Sequence, residues 1–285
     1  YMRTDDPNIY AAGDCCEIKH RITGEHMPAY YGDLANLEGR VVGQNVIQGP
    51  KVKFPGTIHT AICKVFDWAA GSTGLNVEFA KQAGYDVESV LIAALDKPGF
   101  MGANLLVMKM IADKKTGRVL GVQGVGPGDV SKRIAEAAIG IMGGLTVEEF
   151  TNLDLPYAPP FSQALDTIIT LSHAMENKLK GRMKGLSSRE FKKKVDRGDD
   201  MFILDARGPD EYEAMRLGVG ETLIPLGALR KRLDEMPEDK NKEIVCFCKI
   251  SLRGYEAASL LEAHGYTNVK ILEGGIMAWP FSREK

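Results

Sequence analysis

Cys248-Lys249-Ile250-Ser251-Leu252-Arg253 is the stretch of this chain whose residue types and order best fit chemistry. It follows the apolar run Glu243-Ile244-Val245-Cys246-Phe247, read as a strand, and precedes a helix expected from about Arg253 to His264. Open α/β sheets place ligands and reactive groups just past the carboxyl ends of their strands. Four residues between Cys248 and Arg253 let the chain curl so that successive amide N–H groups point at the sulfur. The helix amino terminus and the Arg253 guanidinium add positive potential. Such surroundings favour thiolate over thiol, and comparable ones lower a cysteine pKa from about 8.5 to roughly 3.5–7.5. The same ring of donors suits a cysteine persulfide, whose terminal sulfur carries the negative charge. The bland alternative is a buried structural thiol.

Other residues with chemical potential weigh less. Cys246 lies two positions before Cys248, on the same face if the strand continues. It reads as a small core residue in preference to one half of a Cys-x-Cys redox pair. Asp205 and Arg207, near the end of another apolar run, read as a structural ion pair and not as catalytic groups. The histidines at 20, 26, 59, 173 and 264 have no metal-binding spacing with each other or with cysteine, so no metal is expected. Gly121, Gly124, Gly126 and Gly128 fail the Gly-x-Gly-x-x-Gly spacing, and no acidic residue about 20 positions on ends a second strand. They are expected to form a strand-to-helix turn. Cys15 and Cys16 read as small residues at a helix start, and Cys63 as core.

The elements that must position these groups fall in three regions. The chain has 285 residues, 36 Lys+Arg against 38 Asp+Glu and 44% hydrophobic residues, enough for about two domains each with its own core. Residues 1–54 open with a short β-type segment, Asn8-Ile9-Tyr10-Ala11-Ala12, ending in Gly13-Asp14. A strand that short needs neighbours, and the chain begins at Tyr1, so it is expected to be a piece of a longer polypeptide. Residues 55–180 carry strands at 61–66, 89–94, 105–111 and 119–125, with a polar turn at Lys114 to Gly117 making a hairpin of the last two. Helices follow, one capped by Asp129 and one from about Ser162 to Lys178. That order implies an antiparallel sheet with helices on one face, an α+β arrangement. The basic stretch Lys178 to Gly185 is read as a linker, and a capping box of Ser187 and Glu190 opens a new domain over 181–285. Its strands at 201–205, 243–247 and 268–272 alternate with helices, which indicates a small parallel-sheet α/β domain.

Composition excludes several function classes. The net charge is −2 and no basic tract is longer than Lys192-Lys193-Lys194, so nucleic acid is not an expected partner. No apolar run approaches the roughly 18 to 20 residues needed to cross a bilayer, and residues 1–7 lack the character of a secretory signal. The expectation is a cytoplasmic protein without a membrane span. Five cysteines in a chain this long do not make a disulfide framework.

Two resemblances sharpen the reading. The Cys-x4-Arg loop stands with Ile203-Leu204-Asp205-Ala206-Arg207, Glu211-Tyr212, Ile224-Pro225-Leu226 and Glu273-Gly274-Gly275-Ile276-Met277-Ala278-Trp279. Over residues 186 to 281 this resembles a rhodanese domain. The resemblance implies that Cys248 accepts sulfane sulfur as a persulfide and passes it to a thiophilic acceptor, with Lys249, Ile250, Ser251 and Leu252 forming the loop and Arg253 closing it. Related phosphatases have one more loop residue and a ring wide enough for phosphate, so the length here favours sulfur. Two departures stand out: Met215-Arg216-Leu217-Gly218-Val219-Gly220 replaces the usual His-Ile-Pro-Gly-Ala segment, and Ser251 replaces a loop glycine.

Thr4 with Asn8-Ile9-Tyr10-Ala11-Ala12-Gly13-Asp14 resembles the second flavin motif of the pyridine nucleotide-disulfide oxidoreductases. There the Asp bonds a ribityl hydroxyl and the Gly admits close backbone approach, roles that fall to Asp14 and Gly13. Further on come Lys64-Val65-Phe66-Asp67, Gly71-Ser72-Thr73-Gly74-Leu75, Gly121-Val122-Gln123-Gly124, Lys132-Arg133-Ile134 and Leu155-Pro156-Tyr157-Ala158-Pro159-Pro160-Phe161-Ser162. Over roughly 56 to 178 they resemble the dimerisation domain of the branch containing CoA-disulfide reductases, NADH oxidases and persulfide reductases. The resemblance implies a homodimer formed through residues 55–180, with Tyr157 reaching over the partner's active site. Phe100 stands where CoA-disulfide reductases carry a second tyrosine, which weakens CoA-disulfide reduction and leaves persulfide or polysulfide reduction untouched.

The amino-terminal phosphate loop, the nicotinamide domain and the flavin-facing cysteine of such enzymes are not in this sequence. The chain is therefore expected to be the carboxyl-terminal portion of an FAD- and NAD(P)H-dependent disulfide or persulfide reductase fused to a rhodanese domain. Coenzyme A is a candidate ligand, and residues 1–54 are the tail of an FAD-binding domain that binds no cofactor fully by itself. The implied partners are a sulfane-sulfur donor or a low-molecular-weight thiol or persulfide. The alternatives are a sulfurtransferase alone, or a dimerisation module with an inert rhodanese-like appendage.

Overall fold

Five strands, most of them rich in apolar residues, build the first sheet of the computed structural model, which describes residues 1–285. A two-stranded ribbon, β1 (Glu17–Lys19) and β2 (His26–Pro28), and the helix α1 (Gly32–Gln48) precede it. The sheet comprises β3 (Ala61–Val65), β4 (Trp68–Gly74), β5 (Val87–Leu95), β6 (Leu105–Asp113) and β7 (Val119–Gly126), with the short α2 (Val77–Gln82) between β4 and β5. Its order is β3-β4-β7-β6-β5 and every pairing is antiparallel. Then come α3 (Val130–Gly143), α4 (Val147–Phe150) and α5 (Thr167–Leu179). α3 packs on β4 and β7, α5 packs on β5 and β6, and the two helices touch each other, so both cover one face. Leu106, Met108 and Met110, alternating along β6, are fully buried beneath them. The opposite face is a shallow trough lined by Cys63, Leu91, Val107, Lys109 and Val125.

The second sheet is parallel. β8 (Gly185–Leu186), α6 (Ser188–Arg197), β9 (Met201–Asp205), α7 (Pro209–Ala214), β10 (Thr222–Leu223), α8 (Leu226–Leu229), β11 (Glu243–Phe247), α9 (Leu252–Ala263) and β12 (Val269–Leu272) follow in order. The strand order is β10-β9-β11-β12-β8, which puts β11 in the middle. A central parallel strand is covered on both faces. Ile244 and Cys246 face α9 with Leu204, Ala257 and Leu261, while Val245 and Phe247 pack with Ile203, Phe191 and Trp279. The α9-side core and the core of the first sheet join in one cluster of 38 buried residues, so the two units are packed against each other. No helix is long and apolar enough to cross a membrane.

Both capping expectations are met. Ser187 and Glu190 exchange side-chain and backbone bonds at the start of α6, and Asp129 accepts from the Lys132 amide at the start of α3. Other expectations are corrected. Residues 8–12 form no strand: Tyr10 makes an isolated bridge to Arg3, and no longer neighbour lies alongside to extend the ladder. The second helix starts at Thr167, not Ser162, because Asp166 supplies the cap at the Ile168 amide. The linker is shorter than expected, since Lys178 still belongs to α5 and Gly185 already pairs with β12. Cys15 closes a single 3-10 turn over Gly13–Cys15 and Cys16 follows it, so no helix starts there. Cys63 is exposed on the open edge of the sheet. Gly121, Gly124 and Gly126 lie within β7, and only Gly128 is in the turn. At Gly121 a Cβ would stand 2.0 Å from the Leu75 carbonyl oxygen, so close backbone approach explains that glycine.

Candidate functional site

Cys248 is the first residue past β11, and the chain bends through Lys249, Ile250 and Ser251 before α9 begins at Leu252. The amides of Lys249, Ile250 and Ser251 make no hydrogen bond within the protein. Their carbonyl side is held instead: Ile276 donates to the Cys248 oxygen at 2.9 Å and Met277 to the Lys249 oxygen at 3.1 Å. Gly275 sits in the left-handed region at φ 57°, and a Cβ there would lie 2.3 Å from the Cys248 oxygen. Ser251 has φ 90°, a conformation costly for any residue but glycine, and its hydroxyl lies 3.4 Å from the Leu272 carbonyl. Serine in place of the loop glycine thus carries the backbone strain of a positive φ. The loop encloses its thiol, for Cys248 is 1% exposed.

Arg253, in the first turn of α9, is aimed by a chain of charged groups. Its two terminal nitrogens donate to both Glu211 oxygens at 2.6 and 2.8 Å, a bidentate pair. Glu211 is the third residue of α7 and also accepts from the Gly208 amide. Arg207 donates to the Glu211 carbonyl and forks onto Asp205 through Nε and Nη2 at 2.7–3.0 Å. Asp205 and Arg207 are buried, as a structural ion pair should be. Glu211 and the Cys248 sulfur both favour the charged guanidinium of Arg253, Glu211 more strongly.

In turn the Arg253 hydrogen bonds hold the Glu211 carboxyl down at about 2. A lowered folded-state pKa stabilises above the unfolded value, 4.5, and that contribution disappears as pH falls through about 2. The stability difference between the native protein and Glu211→Gln is therefore expected to be constant above pH 5 and to vanish toward pH 2. Urea titrations at a series of pH values would show this, and a difference that grows on acidification would contradict the pairing.

Two of the remaining cysteines, Cys246 and Cys16, are unsuited to nucleophilic work. Burial pushes the Cys246 thiol far up, and it faces the α9-side core away from any redox partner. Burial and the neighbouring Glu38 push Cys16 up to about 11. No cluster of histidine, cysteine and carboxylates has metal-binding geometry. The unusual segment 215–220 is not loose: the buried Glu221 carboxylate accepts from the amides of Leu217, Gly218 and Val219 at 2.7–3.1 Å. Arg216 also pairs with Glu284 near the end of the chain.

Gly13 and Asp14 lie apart from this loop, on the 3-10 turn beside α1. The Gly13 amide donates to Glu38 at 2.7 Å, and the exposed Asp14 carboxylate accepts no hydrogen bond within the protein. The α1 amino terminus behind it has no side-chain cap. Tyr157 is 53% exposed in the irregular segment between α4 and α5, and Phe100 is 81% exposed in a 3-10 turn before β6. The structure brings Cys248, Arg253, Glu211 and Asp205 together, with Gly13, Asp14 and Tyr157 on other elements. Glu211 had a legible sign in sequence, the third helical position after Gly208-Pro209, but nothing there pointed to Arg253.

Residues 60–169 match the pyridine nucleotide-disulphide oxidoreductase dimerisation domain, and residues 187–280 match the rhodanese-like domain. The chain therefore joins a dimerisation domain of the pyridine nucleotide-disulphide oxidoreductases to a rhodanese-like domain. Over 176 residues it is 39% identical to an NAD(P)H sulfur oxidoreductase (CoA-dependent) of Pyrococcus furiosus, covering 61% of this chain and 39% of that one. Among solved structures, an NAD-dependent persulfide reductase from A. fulgidus superposes with a TM-score of 0.90 at 44% identity, over 99% of this chain and 50% of that one. Reduced CoADR-RHD of Bacillus anthracis superposes with a TM-score of 0.88 at 33% identity, over 98% of this chain and 49% of that one. The chain thus spans half or less of the length of these relatives.

Proposed function

We propose that this chain is the carboxyl-terminal portion of an FAD- and NAD(P)H-dependent disulfide or persulfide reductase, and that its rhodanese-like domain carries sulfane sulfur on Cys248. On this reading residues 1–54 complete an FAD-binding domain, 55–180 form the homodimer and 181–285 handle sulfur. The exposed Val65, Phe66 and Trp68 at the β3–β4 turn support a protein-covered surface there. Gly13 and Asp14 would hold the ribityl portion of the flavin, and Tyr157 would reach the partner's site. When bound, the flavin supplies two-electron transfer between nicotinamide and sulfur.

The observation that carries the reading is the bent loop at the end of β11, with three unpaired amides on one side and Arg253 held by Glu211 on the other. The Cys248 thiolate attacks the outer sulfur of a low-molecular-weight persulfide, R–S–SH. The new S–S bond forms as the old one breaks, and the R–S leaving group takes the persulfide proton and departs as a thiol. Cys248–S–S⁻ remains, with no net oxidation, and its charged outer sulfur meets the loop amides and the Arg253 guanidinium. Discharging that sulfur as H₂S consumes two electrons and two protons and returns the Cys248 thiolate.

Treatment with glutathione persulfide or thiosulfate is expected to add about 32 Da at Cys248, one sulfur atom, seen by intact and peptide mass measurement. Cys248→Ser should gain nothing. Equal gain in that variant, or no gain in the native protein, overturns the assignment. The enclosure of Cys248 favours a second reading, an inert structural thiol, and alkylation at pH 6 no faster than free cysteine would establish it.

A further inference from the structure

β5 is an edge strand, so its outward backbone groups have no partner strand. Two residues from elsewhere supply the partners. Lys178, in the last turn of α5, donates to the Ser89 carbonyl at 2.6 Å and to Glu273 Oε1 at 2.6 Å, with Glu88 at 3.2 Å. Glu273 Oε2 accepts from the Leu91 amide at 3.1 Å. Glu273 follows directly on β12 and is 4% exposed. Burial pushes its carboxyl above the ordinary range against the pull of Lys178. Lys178, Glu88 and Lys109 are the charged groups that face it.

The residues immediately after Glu273 are those that grip the reactive loop. Gly274 packs against Leu91, and Ile276 and Met277 donate to the carbonyls of Cys248 and Lys249. The other flank of the loop is not tightly filled. A cavity of about 300 Å³ between the two units is lined by Ile92, Ala94, His173, Ile250, Leu252 and Tyr255. Close packing therefore does not fix the loop on that side, and its position depends on segment 273–277.

We infer that Glu273 is a positioning residue for the Cys248 loop, clamped by Lys178 and the Leu91 amide so that the edge of the dimerisation sheet forms part of the scaffold of the reactive thiol. This deepens the reading of Cys248 as the sulfur carrier and rests on it, but its test needs no sulfur. Lys178→Met with Glu273→Leu removes both charges together, which avoids stranding either one in the interior.

The measurement is the rate of Cys248 alkylation by iodoacetamide between about pH 5 and 9, resolved by peptide mass because Cys15 and Cys63 are exposed. The double variant is expected to react roughly ten- to a hundredfold more slowly, the penalty of a displacement of about 1 Å, with a shifted pH profile. Lys178→Arg, which keeps the charge and the donors, should restore the native profile. A folded double variant with the native rate and profile overturns the inference. Should the double variant fail to melt cooperatively, Glu273→Gln decides in its place: a slower rate supports the clamp and a native rate refutes it. Failure of the native protein to load sulfur would sink the carrier role and leave this comparison standing.

Discussion

Arg253→Ala is expected to slow sulfur loading at Cys248 by about a hundredfold or more, the usual loss when one preorganised donor to a developing anion is removed. The effect is large because the other donors are backbone amides, whose partial charges cannot replace a full positive charge over the outer sulfur. It should appear without general unfolding, since the Arg253 side chain is 34% exposed and its pair with Glu211 is not part of a core. Glu211→Gln should cost less, because it leaves the guanidinium in place and removes only what aims it. Quenched time courses followed by mass measurement give both rates. Loading by Arg253→Ala within a few-fold of native would mean that the loop amides act alone.

The largest effect on stability is expected from Asp205→Ala. Arg207 is 2% exposed, donates to Asp205 through its backbone amide, Nε and Nη2, and lies over the Phe247 ring at 5.9 Å. Removing the carboxylate leaves that charge buried without its partner, at a cost of about 3–5 kcal/mol. The double change Asp205→Leu with Arg207→Met should cost far less, because no unpaired charge remains. Urea denaturation of the three proteins tests the contrast, and equal losses in single and double variants would contradict it. The residue also matters for the site, because β9 lies beside β11 and Arg207 holds the Glu211 backbone.

Features set by neighbours in the chain were legible in the sequence. The Ser187–Glu190 capping box, the Asp129 cap and the bend of Cys248 to Arg253 between a strand and a helix all depend on residues within a few positions of each other. What depended on distant partners was not. β4, Trp68-Ala69-Ala70-Gly71-Ser72-Thr73-Gly74, has little strand propensity of its own. It is a strand because β3 and β7 pair with it on both sides. α1 contains Gly39 and Gly43 and buries only Glu38, Val41 and Asn45, so no strong apolar stripe announced it. The helix starts after Asp166 and not at Ser162 because Asp166 accepts bonds from Arg133 on α3, a partner that appears only in the fold. Cys63 was expected in the core because alternation alone does not say which face of a sheet the helices will cover. The link from Lys178 to Glu273 crosses between the two units and left no local sign.

The grip of Ile276 and Met277 on the loop carbonyls has a consequence for the order in which the protein is made. Ile276 and Met277 follow Cys248 in synthesis, and β11 must also wait for β12 to become a central strand. A nascent chain therefore lacks these contacts on the loop until residues 269–277 leave the ribosome and dock. The folded path of the loop is complete only once β12 and residues 275–277 have docked beside it.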